Sequence, residues 1–181
     1  MPYPIRDQGG LYFLTFTVVN WIDVFTRPVY KDIVIGSLRY CQAKKGLELF
    51  AFCLMTNHLH LIGRVREGGS LSDLVRDFKK FTSQAIFREI QQSPRESRQG
   101  WLLWLFTREG ERNPNNLHFQ VWQQHSHAVE LTSNTMIQQR LDYTHQNPVR
   151  AGICYRPEDY VYSSAAQYAG LETVLPVSLV G

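Results

Sequence analysis

Two small groups in this sequence have the residue types and spacing to do chemistry: His58-Leu59-His60, and Tyr143 with Asn147. The histidines open an apolar run, Leu59 to Val65, that reads as a strand, where alternate side chains face the same side. Two imidazoles facing one way can hold one metal ion while Leu59 turns into the core. The pattern is cheap, because His125-Ser126-His127 repeats the spacing; there the middle Ser gives no apolar anchor, so the second pair is the weaker ligand candidate. The plain structural alternative is a capping or packed imidazole. Tyr143 and Asn147 are four apart on an expected helix and share a face, with Leu141 turned toward the core. A phenol and an amide oxygen are thus presented together. Pro148 disfavours helical geometry at Asn147, so the helix is expected to stop there. Taken alone, Tyr143 reads first as a core residue at a helix end, and with nine tyrosines in the chain, position by itself selects none of them.

The elements that must position these residues can be read along the chain. After Gly9-Gly10, Leu11 to Val19 is aromatic and β-branched, and reads as a first strand. Pro28 suits a first helical turn, and Ile33, Val34, Leu38 and Cys41 recur at helical spacing until Gly46. Leu47 to Met55 and Leu59 to Val65 form a hairpin around Thr56-Asn57-His58. Ser70 and Asp73 resemble a capping box, and Leu71, Leu74, Val75, Phe78, Phe81, Ala85 and Ile86 mark the buried face of a second helix. Its other face carries Arg76, Lys79 and Lys80, a solvated surface or a phosphate-binding one. Residues 91–116 read as an insertion: a short helix around Trp101 to Phe106, then a loop ending in Asn113-Pro114-Asn115-Asn116. Leu117 to Trp122 is the expected fourth strand, and Thr132 or Ser133 caps the helix carrying Tyr143. The order β-α-β-β-α-β plus a helix predicts an α+β, ferredoxin-like (RRM-like) fold: an antiparallel sheet with helices on one face and a C-terminal nucleophile helix. One domain is expected over 1–181, with a tail from about 153 laid over the surface.

Composition is permissive. A chain of 181 residues with 44% hydrophobic and 19% charged positions can bury a full core, and a net charge of +3 suits a polyanion partner without demanding one. Cys41, Cys53 and Cys154 are odd in number and scattered, which reads as reduced thiols, two of them in the core. The opening Met-Pro-Tyr-Pro-Ile-Arg has no basic-then-apolar pattern, and no apolar run approaches the roughly 20 residues that span a bilayer. A cytoplasmic location is expected.

Joined, the two chemical elements resemble a family. Thr56-Asn57-His58-Leu59-His60-Leu61-Ile62 is similar to the HUH motif, two histidines around a bulky hydrophobic residue. Asp142-Tyr143 with Asn147-Pro148-Val149-Arg150-Ala151-Gly152 resembles the nucleophile helix of the REP-associated tyrosine transposases, relatives of the smallest insertion-sequence transposases. Phe119 to Gln124 and Pro157-Glu158-Asp159-Tyr160 with Ser163-Ser164 add to the likeness, which spans about Leu11 to Tyr168; the stretch Trp101 to Asn116 fits it less well. The resemblance implies that Tyr143 attacks single-stranded, hairpin-bearing DNA and becomes joined to a 5′ phosphate. It also implies Mg²⁺ or Mn²⁺ on His58 and His60, with Asn147 as a third ligand where some relatives have Gln, and no nucleotide cofactor. Asp142, His145 and His127 are the candidate bases for the phenol proton. Arg76, Lys79, Lys80 and Arg150 are the candidate DNA contacts, in a monomer or a homodimer. Two other readings stay open: a catalytically silent nucleic-acid-binding module of the same fold, with Phe13, Phe16, Phe50 and Phe52 as stacking faces, and a metal-dependent hydrolase that uses water.

Overall fold

The computed structural model describes residues 4–114 and 118–180. Asn115 and Asn116 of the expected loop and Leu117, the first residue of the expected fourth strand, lie outside the described residues. Four strands, β1 (Tyr12–Thr17), β2 (Leu47–Leu54), β3 (His58–Val65) and β4 (His127–Glu130), form one sheet in the order β2-β3-β1-β4. All its pairings are antiparallel. Two β-α-β halves interleaved this way, with a helix after β1 and another after β3, make the expected ferredoxin-like fold.

The alternation of β1 divides the core. Tyr12, Leu14 and Phe16 face α1 (Pro28–Lys44) and α2 (Leu71–Gln92), in a cluster that also takes Leu59, Leu61, Leu38 and Phe78. Phe13 faces the other way with Ile62 and Ala51, and this side is covered by α4 (Asn134–Arg150) through Leu141, Ile137 and Met136. Ser70 caps α2 as expected, its hydroxyl accepting from the Asp73 N–H at 3.2 Å. The apolar stripe of α2 departs from expectation at Phe81, which is 59% exposed, while Thr82 is buried. Burial follows Phe78, Thr82, Ile86 and Ile90 at intervals of four. Thr82 tolerates the core because its hydroxyl donates to the Phe78 carbonyl at 2.7 Å and accepts from the Trp122 indole N–H at 2.8 Å. The third helix, α3 (Gln99–Glu111), is longer than the aromatic cluster alone suggested and buries Leu102 and Phe106.

Three expectations are corrected. The fourth strand is His127–Glu130, not Leu117 to Trp122; Trp122 makes only an isolated bridge to Val18. Trp122 is held by its indole in the α2 core and the ladder begins later. The tyrosine helix does not stop before Pro148 but continues to Arg150. It ends where Gly152 turns left-handed (φ 71°), with Gly152 N–H bonded to Val149 O and Ile153 N–H to Pro148 O, both at about 3 Å. This double-bonded glycine terminus outweighs the steric bias of one proline in the last turn. The C-terminal tail, finally, is more than a surface strap. Leu54 N–H bonds to Tyr162 O and Ser164 N–H to Phe52 O, Ser163 bridges Cys53, and Leu175 is fully buried. The tail thereby covers the β2 edge, which would otherwise offer unpaired backbone groups. No helix among the described residues is long and apolar enough to cross a membrane.

Candidate active site

Strand register brings the histidines together. On β3, His58 and His60 lie opposite Thr17 and Thr15 of β1, and Thr15 is in turn opposite His127 of β4. Paired residues share a face, so His58, His60 and His127 all lie on the side of Phe13, the side covered by α4. The two β3 imidazoles meet edge to face with centroids 4.7 Å apart. Leu59 between them is fully buried on the opposite side, as expected.

Each imidazole has one nitrogen engaged. His58 Nδ1 is 2.7 Å from the Asn57 side-chain oxygen, and the Asn57 amide nitrogen donates to Trp21 O and to an Asp23 carboxylate oxygen. Those two acceptors fix which end of the amide is oxygen, so His58 Nδ1 carries the proton and Nε2 holds the lone pair. His60 Nδ1 lies 2.9 Å from the Thr15 hydroxyl; donation to that oxygen leaves its Nε2 equally available. Oxygen partners on the inner nitrogens are the arrangement that orients metal-binding histidines. Burial lowers both pKa values: His60 falls to about 3, chiefly by desolvation, with electrostatic repulsion of its proton by neighbouring His58, Arg140 and His127 adding to it. His58 moves the same way by desolvation, opposed by Asp23. Both rings are therefore neutral at physiological pH, the form that donates to a cation. Among the described residues no group of three His, Cys, Asp or Glu could hold a metal; the two imidazoles stand as a pair on the sheet face.

Helix α4 brings the phenol to this pair. Ser133 caps it, accepting from Met136 N–H at 3.3 Å, and Leu141 anchors it in the Phe13 cluster. The Tyr143 ring meets His60 edge-on at 5.3 Å and Phe13 at 6.0 Å, and remains 36% exposed. It is packed against His60 and Phe13 yet open to a large substrate. Arg140 lies over the Phe13 ring at 5.0 Å and Arg150 over the Tyr143 ring at 5.6 Å. With helical spacing of three and four, Arg140, Tyr143, Asn147 and Arg150 make one stripe: a phenol and an amide flanked by two guanidinium groups. The arrangement suits an anion approaching the phenol.

Other candidates are placed elsewhere. His145 is two residues from Tyr143, which turns it away; its Nε2 is 2.9 Å from Ser164 Oγ and its ring packs on Tyr168. It is corrected from candidate base to structural residue. Asp142 is exposed and accepts from Gln138 at 2.8 Å. Lys79 does not present a free charge to DNA: its ammonium donates to Gln123 O at 2.6 Å and Gln124 O at 2.8 Å, and burial lowers its pKa to about 8. It ties α2 to the segment before β4. Arg76 is paired with Asp73 and Asp77, so its charge is largely offset, while Lys80 is exposed. All three stand on the helix layer behind the sheet, away from Tyr143. Of the four expected DNA contacts, only Arg150 adjoins the phenol. Sequence reasoning missed Arg140 and Thr15. Arg140 was findable as the residue one turn before Tyr143; Thr15 required the strand register.

The family model described as Transposase IS200 like matches residues 11–105, just over half of the chain, including the histidine strand but not α4. Among solved structures, a REP-associated tyrosine transposase bound to a REP hairpin is similar in fold, with a TM-score of 0.64 and 19% identity over 96% of this chain and 87% of that one. A protein from Deinococcus radiodurans R1 described as a presumed transposase aligns at a TM-score of 0.46 and 20% identity, over 75% of this chain and 90% of that one. No curated protein matches.

Proposed function

The chain belongs to the IS200-like transposase family, and from that premise we propose that it cuts and rejoins single-stranded DNA with Tyr143 as the nucleophile. The observation that supports this most is the meeting of Tyr143 with His60, 5.3 Å between ring centroids, on a sheet face that also carries His58. A silent binding module has no use for a part-exposed phenol set against a neutral imidazole of this pair, and a water-using hydrolase leaves that phenol without a task.

In this reading, His58 and His60 would hold Mg²⁺ or Mn²⁺ through their imidazole nitrogens, with the Asn147 amide oxygen as a further donor. When bound, the ion draws charge from a nonbridging phosphate oxygen and fixes the phosphorus for in-line attack. The chain's own residues do the rest. Tyr143 Oη attacks the phosphorus, the bond to the 3′ oxygen breaks, and that oxygen takes a proton as the free 3′-hydroxyl. A phenol must lose its proton to attack. His127 is the remaining candidate acceptor, since it shares the sheet face of His60. Arg140 and Arg150 supply positive charge beside the phosphate and the tyrosine ring. The phosphotyrosine ester retains the broken bond's energy, so rejoining requires no nucleotide cofactor. Because a fold relative is known bound to a REP hairpin, hairpin-bearing single strands are the proposed substrate here.

The test is direct. The protein is incubated with Mn²⁺ and labelled single-stranded hairpins from the flanks of its own gene, and denaturing gels are read for a protein-linked strand. The adduct is expected with the wild type and absent with Tyr143→Phe. Cleavage at the wild-type rate by Tyr143→Phe refutes the proposal.

A further inference from the structure

Trp21 is an exposed aromatic residue held outward by its backbone. Its side chain is 59% exposed although its neighbours Val19 and Ile22 are buried. The backbone that throws it outward is left-handed at two consecutive non-glycine residues, Asn20 (φ 54°) and Trp21 (φ 56°). Bulky side chains rarely adopt this conformation, and it persists only where surrounding bonds impose it. Those bonds are present. Trp21 N–H bonds to Val18 O at 3.0 Å, Val19 N–H to Val121 O at 2.8 Å, and Phe25 N–H to Thr56 O at 2.8 Å. Asp23 accepts from Thr56 Oγ1 at 2.6 Å and from Asn57 Nδ2 at 3.0 Å.

Asn57 joins this turn to the active site, because its nitrogen donates to Trp21 O while its oxygen accepts from His58. One amide therefore sets both the indole and a candidate metal-binding ring. The Trp21 and His58 rings meet edge-on with centroids 5.9 Å apart. The rings thus follow one another as Trp21, His58, His60 and Tyr143, at 5.9, 4.7 and 5.3 Å. Strand direction agrees: Tyr143 stands near Phe13, His60 is opposite Thr15, His58 is opposite Thr17, and Trp21 follows beyond the end of β1.

We propose that Trp21 is a stacking platform for a nucleobase, and that the base it takes belongs to the nucleotide released with the free 3′-hydroxyl. This rests on the proposed tyrosine chemistry. In an in-line displacement the leaving oxygen lies opposite the attacking one. With Tyr143 attacking from the Phe13 end, the departing nucleotide lies toward His58 and the exposed indole. Stacking there does not discriminate strongly among bases, since each has a π face. It retains the cut end beside the phosphotyrosine, in place for rejoining.

The test uses Tyr143→Phe protein, which leaves bound DNA uncut, and single-stranded hairpins from the flanks of the gene carrying one 5-iodouracil at successive positions. Irradiation followed by peptide mapping is expected to place a cross-link on Trp21 from the nucleotide just 5′ of the position that wild-type protein cuts. Trp21→Asn, which suits left-handed backbone, should weaken hairpin binding about five- to 150-fold, and Trp21→Phe should restore most of it. Binding unchanged in Trp21→Asn, or cross-links that avoid Trp21 while the DNA binds, overturns the platform and leaves the tyrosine chemistry standing. Absence of hairpin binding by any form of the protein overturns both.

Discussion

Two buried neutral histidines make the metal-free protein acid-sensitive, by an amount that can be worked out. His60 is 5% exposed with its pKa lowered to about 3, and His145, part-buried against Ser164 and Tyr168, is lowered to about 4. Burial is the leading cause for both, and the ordinary histidine value is 6.5. Between pH 6.5 and those lowered values the unfolded chain binds protons that the folded chain refuses. Their contribution to stability is therefore complete above pH 6.5 and is lost as pH falls toward 4 and then 3. At pH 5 the unfolded chain gains about 1.5 pH units of protonation free energy at each site, or about 2 kcal/mol per histidine and about 4 kcal/mol together. That is a large share of the roughly 5–15 kcal/mol that holds a domain folded. Urea unfolding in chelator at pH 7 and pH 5 measures the loss. His145→Gln, which keeps a partner for Ser164 but cannot titrate, should lose about 2 kcal/mol less than wild type between the two pH values. An equal loss in wild type and His145→Gln, or no loss in either, refutes the burial argument.

Three further outcomes follow from particular contacts. Gly110→Ala places a Cβ 2.4 Å from Phe119 Cα; since backbone cannot yield as a side chain does, destabilisation of about 3 kcal/mol or more is expected in chemical denaturation. Near-wild-type stability would mean α3 and the Phe119 segment do not pack this way. Glu96 accepts from the fully buried Tyr30 hydroxyl at 2.9 Å and from Arg98 N–H and Nε at 3.1 Å. Glu96→Ala strands the buried Tyr30 phenol, while Arg98 keeps Asp23 O and Thr26 as acceptors, and should cost about 1–3 kcal/mol, whereas a cost under about 1 kcal/mol would show the network to be idle. Mn²⁺ at a hundredfold excess over its dissociation constant should stabilise the wild type by about 2.7 kcal/mol in a thermal-shift series. That gain should vanish in His58→Ala and His60→Ala and survive in His125→Ala; equal losses in all three would make the second pair a rival site.

What was legible in the sequence was mostly periodic. The alternation around Leu59 put both histidines on one side of a strand, and the Ser70 cap and the run from Leu71 to Ile86 marked α2, because caps and periodicity are local properties. What failed depended on distant partners. Phe81 looked like core until the four-residue stride to Thr82 showed otherwise, and Thr82 is acceptable only because Trp122 bonds its hydroxyl. Lys79 looked like a free cation, but its acceptors lie more than forty residues away. Pro148 carried a strong local signal for a helix stop, and Gly152 with its two backbone bonds decided the end instead. The pairing of Thr15 with both His60 and His127, which places three histidines on one face, exists only in the sheet register.

The claim on which the rest depends is that Tyr143, among nine tyrosines, carries the DNA. Its most direct measurement is mass-spectrometric mapping of the covalent product after nuclease trimming. A nucleotide mass is expected on the peptide containing Tyr143 and on no other, with the phosphate attached through its 5′ oxygen to the trimmed strand. A nucleotide found on a different tyrosine, or DNA cut in quantity with no modified peptide, would contradict it.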